Sequence, residues 1–415
     1  MTWRDVWYQT HWLVGITAGV VLAVVGLSGA VLSYEQTILE ALNPKLMRVE
    51  PAGRAARSPH ELVAKAREAF PDKTVSAITL ASGADESARV VVNERGAGGP
   101  GNRRGTTVFV DPYTGAMLGS ELRGDKALHV VEDVHRRLAS ADTGKLIVGI
   151  STALLLLLAG TGLYLRWPTV ASTLRVWFTF RTSLKGRTFL RHLHAIVGTW
   201  VLLFYLLASL TGLYWSFEWY RDGLFAMTGA PRPQGSGAAP AAAPQSRAAN
   251  ESATARGASA ARYDSSARPK AATDDGPQIA AAWAVFESNV PAFRTATLTL
   301  PKPGDTRFEV RYLDVDPVHE RAYNRITIEG ATVAKHERYD DKPGGHKLMS
   351  SMFVLHKGSF FGWAGTLLMM LASLAMPLFA VTGWMLYLDR RKRKARARER
   401  AASGVSAPGY ARENS

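Results

Sequence analysis

The 415-residue chain contains no cysteine, and its charges are absent from four long stretches. Without cysteine there are no disulfide bonds, no iron–sulfur clusters held by thiolates and no haem attached covalently through a C-x-x-C-H motif. The average hydropathy resembles that of a soluble protein and hides the uncharged stretches. These run from Ile16 to Tyr34, from Leu146 to Leu165, from Ala195 to Phe217 and from Ser359 to Leu388.

Each uncharged stretch is long enough to cross a bilayer, which takes roughly 20 apolar residues in a helix. Buried helices of soluble proteins rarely keep this length without a charge, so the sequence predicts four transmembrane helices. The first stretch is too long for the apolar region of a signal peptide. It also lacks a small-residue cleavage site at its end, where Ser33 to Gln36 stand. We therefore interpret it as an uncleaved span.

The net charge of +15 is concentrated in a few segments. The loop from Arg166 to Arg191 holds six basic and no acidic residues, and the tail from Asp389 onward holds nine basic and three acidic residues. Cytoplasmic segments of membrane proteins carry such an excess of Lys and Arg. Both termini and the middle loop are therefore predicted to be cytoplasmic, and the basic tail is predicted to contact anionic membrane lipid rather than nucleic acid.

The predicted spans divide the chain into eight segments. The spans are residues 1–35, 131–167, 192–218 and 351–388, with a cytoplasmic loop at 168–191 and a cytoplasmic tail at 389–415. Residues 36–130 and 219–350 are two outer domains, each with one helix-like and several strand-like stretches. Residues 230–276, rich in Ala, Pro, Gly and Ser, are predicted to be a disordered linker. The fold class is a four-helix membrane bundle with two outer α+β domains.

Four of the ten histidines stand at the mouths of the spans in two repeated arrangements. His11 and His194 are each followed by glycine after four residues and by a Ser-Gly or Thr-Gly pair after seventeen. His135 and His356 are each followed by glycine after nine residues and by Thr-Gly after twenty-six. Agreement at several offsets in both pairs indicates an internal duplication, in which each half is helix, outer domain, helix.

A titratable ring in or near the hydrocarbon is costly and usually functional, and imidazole suits iron. His11 and His194 begin spans that run outward, whereas His135 and His356 begin spans that run inward. The depths therefore predict two non-covalent b-type haems, an inner one held by His11 and His194 and an outer one held by His135 and His356. Gly15 and Gly198, one turn along from the inner ligands, would let a flat macrocycle approach the backbone.

Helix 2 is predicted to run from His135 to Gly162, which sets the depth of the outer site. An unbroken helix would place His135 about 40 Å from Gly162, which exceeds the roughly 30 Å hydrocarbon core. The outer haem is therefore expected at the headgroup level.

Several residues compete with the four histidines as ligands. His192 is the rival at the inner site, and His129, His346, Met349 and Met352 are rivals at the outer site. His60, His319 and His336 fall in the outer domains and are expected at the surface. The Ser-Gly and Thr-Gly pairs are interpreted mainly as helix packing points, with a role at the haem as the alternative.

The chain resembles the PepSY-associated transmembrane family. The resemblance is carried by HWLVG at 11–15, HAIVGTW at 194–200, TGLY at 161–164 and 211–214, LHKG at 355–358, TGW at 382–384 and VFVDPYTG at 108–115. It covers nearly all of the chain except the Ala-rich linker and the tail. The second outer domain has no Asp-Pro-x-Thr-Gly match, so its assignment as PepSY-like rests on the duplication.

The resemblance implies an inner-membrane protein with periplasmic PepSY-like domains. Members of similar architecture include di-haem ferric-siderophore reductases of the ferrioxamine type. We therefore expect an oxidoreductase that passes electrons to a periplasmic ferric siderophore. Some relatives carry a cytoplasmic flavin domain; this chain has only 27 residues after helix 4, so the expected donor is quinol or a separate cytoplasmic reductase. Aromatic residues such as Tyr214, Trp215, Trp219 and Tyr220 are expected near the acceptor.

Two alternatives remain open at this stage. The first is an electron carrier for another periplasmic acceptor, such as a methionine-sulfoxide system or free metal ions. The second is a non-redox PepSY membrane protein whose outer domains regulate a peptidase or a sensor. The register of the four histidines separates the classes, since a pure binding protein has no reason to keep it.

Overall fold

The computed structural model describes residues 2–51, 53, 55–94, 105–167, 175–232, 275–302 and 305–402. Most of the predicted linker, 233–274, lies outside the described residues. The described chain forms helices α1 (Trp3–Leu32), α2 (Glu35–Leu42), α3 (Pro44–Met47), α4 (Pro59–Ala69), α5 (Asp125–Arg137), α6 (Ala141–Arg166), α7 (Arg175–Phe178), α8 (Gly186–Ser216), α9 (Glu218–Thr228), α10 (Gly276–Asn289), α11 (Gly344–Lys357), α12 (Gly362–Leu374) and α13 (Met376–Ala402).

Four of the described helical segments are long and apolar enough to cross a membrane: α1, α6, α8 and the stretch Ser359–Arg400 that contains α12 and α13. The first and third spans, α1 and α8, each pack against α6 and against the α12–α13 segment. The helices therefore form a ring in which α1 and α8 lie diagonally opposite. This arrangement confirms the predicted multi-pass membrane bundle.

The fourth span is interrupted at Ala375, between α12 and α13. Pro377 lacks the N–H that would bond the carbonyl of Ser373, so the helix cannot continue undisturbed there. Helix α1 crosses at this point through Gly26, where a Cβ atom would lie 2.6 Å from both Cβ of Met376 and the Ser373 carbonyl oxygen. A glycine at position 26 thus lets the two spans touch.

The strands of the two outer segments join into one antiparallel sheet. Its eight strands occur in the order β4-β3-β2-β1-β5-β6-β7-β8, and β1 pairs directly with β5, for example Thr79 with Thr297. Each segment contributes four strands, a relation between the two outer domains that the sequence did not reveal. The strands are β1 (Lys73–Ala81), β2 (Ala88–Glu94), β3 (Thr106–Val110), β4 (Met117–Gly119), β5 (Thr295–Thr299), β6 (Arg307–Leu313), β7 (Asn324–Glu329) and β8 (Thr332–Glu337).

A single hydrophobic core lies between one face of this sheet and helices α4 and α10. Leu62 and Val63 of α4 pack with Ile279 and Phe286 of α10, and all four are fully buried. The strands follow the period of two residues expected when one face is buried, as in β7, where Ile326 and Ile328 point into the core. The predicted α+β part of the fold is therefore confirmed.

The expectation of an unbroken helix from His135 to Gly162 is wrong. Helix α5 ends at Arg137, and the chain turns through Leu138, Ala139 and Ala141, which have positive φ angles of 49°, 52° and 44°. The estimate of 40 Å along one helix therefore does not apply. Likewise, α11 ends at Lys357 and the chain turns at Gly358, with a φ of 84°. His135 and His356 both lie on short helices that precede their spans.

The glycines nine residues after these two histidines accommodate the turns. A Cβ atom at Gly144 would overlap the carbonyl oxygen of Arg137, and one at Gly365 would overlap that of Gly358. In both halves the overlapping carbonyl belongs to the residue seven positions before the glycine. The same backbone turn thus holds His135 and His356 above their spans.

Candidate functional site

The four histidines at the mouths of the spans come together in two pairs. The ring centroids of His11 and His194 are 6.2 Å apart, and those of His135 and His356 are also 6.2 Å apart. These are the pairs that the depth argument predicted. The two members of each pair come from different halves of the sequence, so each site joins the two halves.

The spacing within each pair leaves room for one metal ion between the rings. Metal–imidazole bonds of about 2 Å, with about 1 Å from each bound nitrogen to its ring centre, separate two axial rings by about 6 Å. The described residues contain no group of three or more His, Cys, Asp or Glu side chains that could hold a metal ion. Two imidazoles therefore suit a metal that brings its other ligands with it, as haem iron does.

Each of the four histidines uses its Nδ1 atom to contact a hydroxyl on another span. His11 contacts Thr161 at 2.8 Å, His194 contacts Thr382 at 2.8 Å, His135 contacts Ser28 at 3.3 Å, and His356 contacts Thr211 at 2.9 Å. The contacts are reciprocal within each half. A hydroxyl on the first span contacts the histidine that precedes the second span, and a hydroxyl on the second span contacts the histidine of the first span. The Ser-Gly and Thr-Gly pairs are thus partners of the histidines as well as small residues between helices.

The direction of these hydrogen bonds sets the tautomer of the rings. Each hydroxyl already donates its proton to a backbone carbonyl one turn earlier in its own helix, for example Thr161 to Leu157 at 2.8 Å. It must therefore accept the Nδ1 proton of the histidine. His135 and His356 also donate from Nδ1 to backbone carbonyls, those of Val25 at 2.9 Å and Ala208 at 3.1 Å. The Nε2 lone pair of each ring is then left for a metal, as in other histidine-ligated metal sites.

Burial favours the neutral form of the two outer-pair histidines. Burial lowers the pKa of His135 below its ordinary value, and burial lowers the pKa of His356 to about 4. A neutral imidazole is the form that coordinates iron, because a protonated Nε2 has no lone pair.

Glycines next to the hydroxyls make room for the rings. A Cβ atom at Gly29 would lie 2.9 Å from Cε1 of His135, and the corresponding distances are 3.3 Å from Gly212 to His356 and 3.4 Å from Gly162 to His11. The fourth glycine of the set, Gly383, has no atom within 4 Å of such a Cβ. Three of the four rings therefore depend on a missing side chain.

Alanine at Gly29 should displace the His135 ring, because 2.9 Å is shorter than the distance that real Cβ atoms tolerate. For a haem held by this pair, we expect a shifted low-spin signal of the outer site in the electron paramagnetic resonance spectrum of the oxidised protein. Gly383→Ala is the matched control, since its Cβ would meet open space. Identical spectra for the two variants would show that Gly29 has no influence on the His135 ring.

Gly15 and Gly198 lie against side chains of the neighbouring spans. A Cβ atom would be 3.8 Å from Leu158 at Gly15 and 3.6 Å from Phe379 at Gly198, both ordinary contact distances. Their predicted role in admitting a macrocycle stays a prediction. The two neighbours occupy matching places, since each stands three residues before the threonine that holds the inner histidine.

The two histidine pairs lie at opposite ends of the bundle. Along α1, the level of His11 is separated from that of Ser28 by seventeen residues, or about 25 Å at 1.5 Å per residue. The space between contains a packed apolar cluster that includes Leu22, Leu155 and Val201. Tyr205 in this cluster donates its hydroxyl to the carbonyl of Ala372 at 2.9 Å. The two sites are therefore separate.

The structure places the rival inner ligand elsewhere. Nε2 of His192 accepts the backbone N–H of Arg181 at 3.0 Å, so its lone pair is already engaged.

The rivals at the outer site are also outside the pair. His129 is exposed and lies beside Asp125 and Glu132. Met349 and Met352 are buried in a separate apolar cluster with Phe225. His346 is not among the ring contacts of the outer pair.

The expectation of surface positions for the remaining histidines is wrong for His319. This residue is 5% exposed and is hydrogen-bonded to Tyr339 and to Ser351 of α11, both at 2.9 Å. His60 contacts Ser58, and His336 on the edge strand β8 contacts Tyr312.

Two aromatic rings lie edge-on against the histidine pairs. Trp215, one of the aromatic residues expected near the acceptor, is 5.4 Å from His356, and Phe379 is 5.0 Å from His194. Sequence reasoning missed Phe379, although its place three residues before Thr382 matches that of Leu158 before Thr161. Trp219 is 71% exposed and does not contact the pair.

These features define a class: a multi-pass membrane protein with four spans, an α+β sheet at one end of the bundle and two histidine pairs of haem-ligand spacing. The chain matches the family model described as the PepSY-associated TM region over residues 8–390, and it belongs to that family. A comparison with curated proteins finds no significant match.

Proposed function

We propose that this protein is a di-haem b-type cytochrome of the bacterial inner membrane that reduces a periplasmic ferric siderophore. The observation that carries the proposal is the pair of imidazole pairs, each with 6.2 Å between centroids. In all four rings Nδ1 is the donor, so Nε2 is free to coordinate. A protein with only a binding role has no need for four oriented, desolvated imidazoles.

In this proposal His11 and His194 hold the haem at the end of the bundle far from the sheet, and His135 and His356 hold the haem near the sheet. A haem bound between two of these imidazoles would supply one-electron transfer chemistry. The hydroxyls of Thr161, Thr382, Ser28 and Thr211 orient the rings and keep their Nδ1 atoms protonated. The apolar surroundings of the rings exclude water.

The topology follows from charge and from the position of the sheet. The Lys- and Arg-rich segments at the end of α6, before α8 and in α13 lie at the end of the bundle where His11 and His194 pair. With these segments cytoplasmic, the sheet is periplasmic and electrons run from the His11 pair to the His135 pair. Quinol in the membrane or a separate cytoplasmic reductase supplies them.

A ferric chelate is the proposed acceptor for a chemical reason. Oxygen-rich siderophores hold ferric iron far more tightly than ferrous iron, so a one-electron reduction releases the metal. Such a step needs no acid or base from the protein. It needs only an electron carrier near the periplasmic surface and a surface that holds the chelate.

The test combines haem content with a ferric-reduction assay. Detergent-purified protein should contain two haems per chain by pyridine haemochrome, with the sharp α band of low-spin b haem after dithionite reduction. After reconstitution into vesicles, the reduced protein should convert an external ferric siderophore to ferrous iron, trapped by a ferrous chelator. His192→Ala is the matched control, because Nε2 of His192 accepts the backbone N–H of Arg181 rather than facing a metal. This variant should keep both haems.

Two results would overturn the proposal. A purified wild-type protein that neither contains nor takes up haem would remove the cytochrome. A protein that contains two haems but never transfers electrons to any ferric chelate would support the cytochrome part of the proposal and contradict the ferric substrate.

A further inference from the structure

Helices α4 and α10 cover one face of the eight-stranded sheet and do not cover the other. The described helices α4 and α10 pack on the face formed by residues such as Val90, Leu298 and Val310. On strands β2, β1, β5, β6 and β7, the residues of the opposite face are half-buried or exposed, except Leu313 at the end of β6. On β3 the face is covered, because Phe109, which pairs with Arg89, is buried. We call this the open face.

Strand register places one row of residues straight across the open face. Arg89 pairs with Thr79, Thr79 pairs with Thr297, Thr297 pairs with Arg311, and Arg311 pairs with Arg325. Three arginines thus stand in a single cross-strand row, two of them directly opposite each other. Like charges in directly opposed positions destabilise a sheet unless something negative compensates them.

The compensation by described residues is partial. Arg325 forms an ion pair with Glu309 at 3.3 Å and stands directly opposite Glu337 of β8. The Arg311 guanidinium lies 4.5 Å from the Tyr323 ring centre. Among the described residues, the Arg89 side chain has no ion-pair or hydrogen-bond partner. The row therefore has more positive than negative charge.

Small residues form the floor between the arginines. Thr79 and Thr297 occupy the two central strands and hydrogen-bond to each other through their hydroxyls at 2.9 Å. Their neighbours along the same face are Ala77, Ala81, Thr295 and Thr299. Strands β2 and β6 lie three strand spacings apart, or about 14 Å. The result is a strip of small side chains on β1 and β5, flanked by the longer side chains of Arg89 and Arg311. We call this strip the trough.

The trough ends beside the helix that carries an outer histidine. After Leu313, two residues beyond Arg311, the chain enters the connection to β7, and this connection packs on α11. His319 bonds Ser351 at 2.9 Å, and the Arg321 guanidinium lies 4.3 Å from the Phe353 ring centre. Glu320 lies 3.8 Å from Lys357, the residue after His356. The arginine row is thus joined through a packed connection to the helix of the outer histidine pair.

We propose that this trough is the binding site for an anionic, oxygen-liganded ferric chelate. Guanidinium groups donate to carboxylate, catecholate and phosphate-like oxygens in pairs, and the threonine hydroxyls add neutral donors beneath. The width of about 14 Å between flanking strands accepts a hexadentate chelate of one metal ion. The inference assigns the substrate of the proposed function a negative charge and a binding site. It rests on that function only for the reduction of the bound iron.

Redox-inert gallium chelates test binding without any electron transfer. The probes are a trianionic hexadentate gallium tris-catecholate and a neutral gallium tris-hydroxamate of similar size, titrated calorimetrically into the full-length protein in detergent. We expect the anionic probe to bind more tightly than the neutral one and to weaken as salt is raised. The double variant Arg89→Gln/Arg311→Gln should weaken the anionic probe by about tenfold or more and leave the neutral probe unchanged.

The matched control is Lys65→Gln/Arg307→Gln, which removes the same net charge. Lys65 lies on α4, behind the other face. Arg307 is on the open face but lies four residues from Arg311, at the far end of β6, where it is ion-paired with Glu329. The control should bind both probes like the wild type. An equal loss of binding in the two double variants would show general attraction to net charge and overturn the site.

Two further outcomes would also overturn the inference. The first is equal binding of the anionic and neutral probes to the wild type. The second is binding of the wild type to vesicles of anionic lipid, lost in Arg89→Gln/Arg311→Gln, with no binding of the gallium probe, which would assign the row to a membrane surface. Haem content is measured on the same samples, so failure of the cytochrome and failure of the trough are distinguished.

Discussion

Replacement of His356 by alanine is expected to remove one of the two proposed haems and leave the other with an unchanged spectrum. The ring of His356 pairs only with that of His135, and the other pair lies about 25 Å away along the bundle. Sites this far apart with no shared residues act nearly independently. Pyridine haemochrome should fall from two haems per chain to one, and His135→Ala should give the same remaining spectrum. His11→Ala and His194→Ala should deplete the other haem.

The functional consequences of these variants should also differ. A protein without the His135–His356 site should still accept electrons from the cytoplasmic side but fail to reduce an external ferric chelate. A protein without the His11–His194 site should not be reduced from that side, although dithionite still reduces its remaining haem. If His11→Ala depletes the same haem as His356→Ala, the haem ligands pair differently from the histidine pairs in the structure. Full haem in all four variants would remove the histidines from any ligand role.

Gly144→Ala should be strongly destabilising although it adds only one methyl group. The new Cβ would overlap the carbonyl oxygen of Arg137, a backbone atom in the turn between α5 and α6. Because a backbone cannot rotate away as a side chain can, the turn must shift and carry His135 with it. We expect a cost of about 1–3 kcal/mol, in the range of overpacked cores, and loss of the haem near the sheet. Thermal unfolding by circular dichroism and haem content measure the two effects.

Gly160→Ala is the control for Gly144→Ala on the same helix. A Cβ atom at Gly160 would have no neighbour within 4 Å, and alanine is the better helix former by about 1 kcal/mol. The control should therefore be neutral or slightly stabilising and keep both haems. Gly365→Ala, in the corresponding place of the second half, should behave like Gly144→Ala and affect the same haem. Equal melting temperatures for Gly144→Ala and Gly160→Ala would show that the turn is not tightly packed.

Much of the candidate site was predictable because its signals repeat along the chain. The four histidines at matching offsets predicted which rings would pair, since two helices that run outward place their first residues at one depth. The hydroxyls of Ser28 and Thr161 were visible at fixed offsets too, but their role was underestimated. An offset along one helix does not show that a ring from another helix fills the space beside it.

Other features were missed because they depend on residues far apart in sequence. The break between α5 and α6 comes from positive φ angles at Leu138 and Ala139, residues that rarely adopt them, so no local pattern indicated it. The burial of His319 depends on Tyr339 and on Ser351, which reach it from other parts of the chain. A histidine in a polar connection looks the same in sequence whether or not a helix covers it.

The sequence by itself determined the four spans, the charge asymmetry between their ends and the four histidines at their mouths. These are local properties, because the length of an apolar run and the spacing along a helix follow from the chain alone. Only the tertiary structure decided how the two halves meet: β1 against β5 in one sheet, and each histidine ring against a hydroxyl of another span, with a glycine beside three of the four rings. Strand pairing and ring packing depend on surfaces that exist only after the chain has folded, and the arginine row across the sheet is visible only once their register is known.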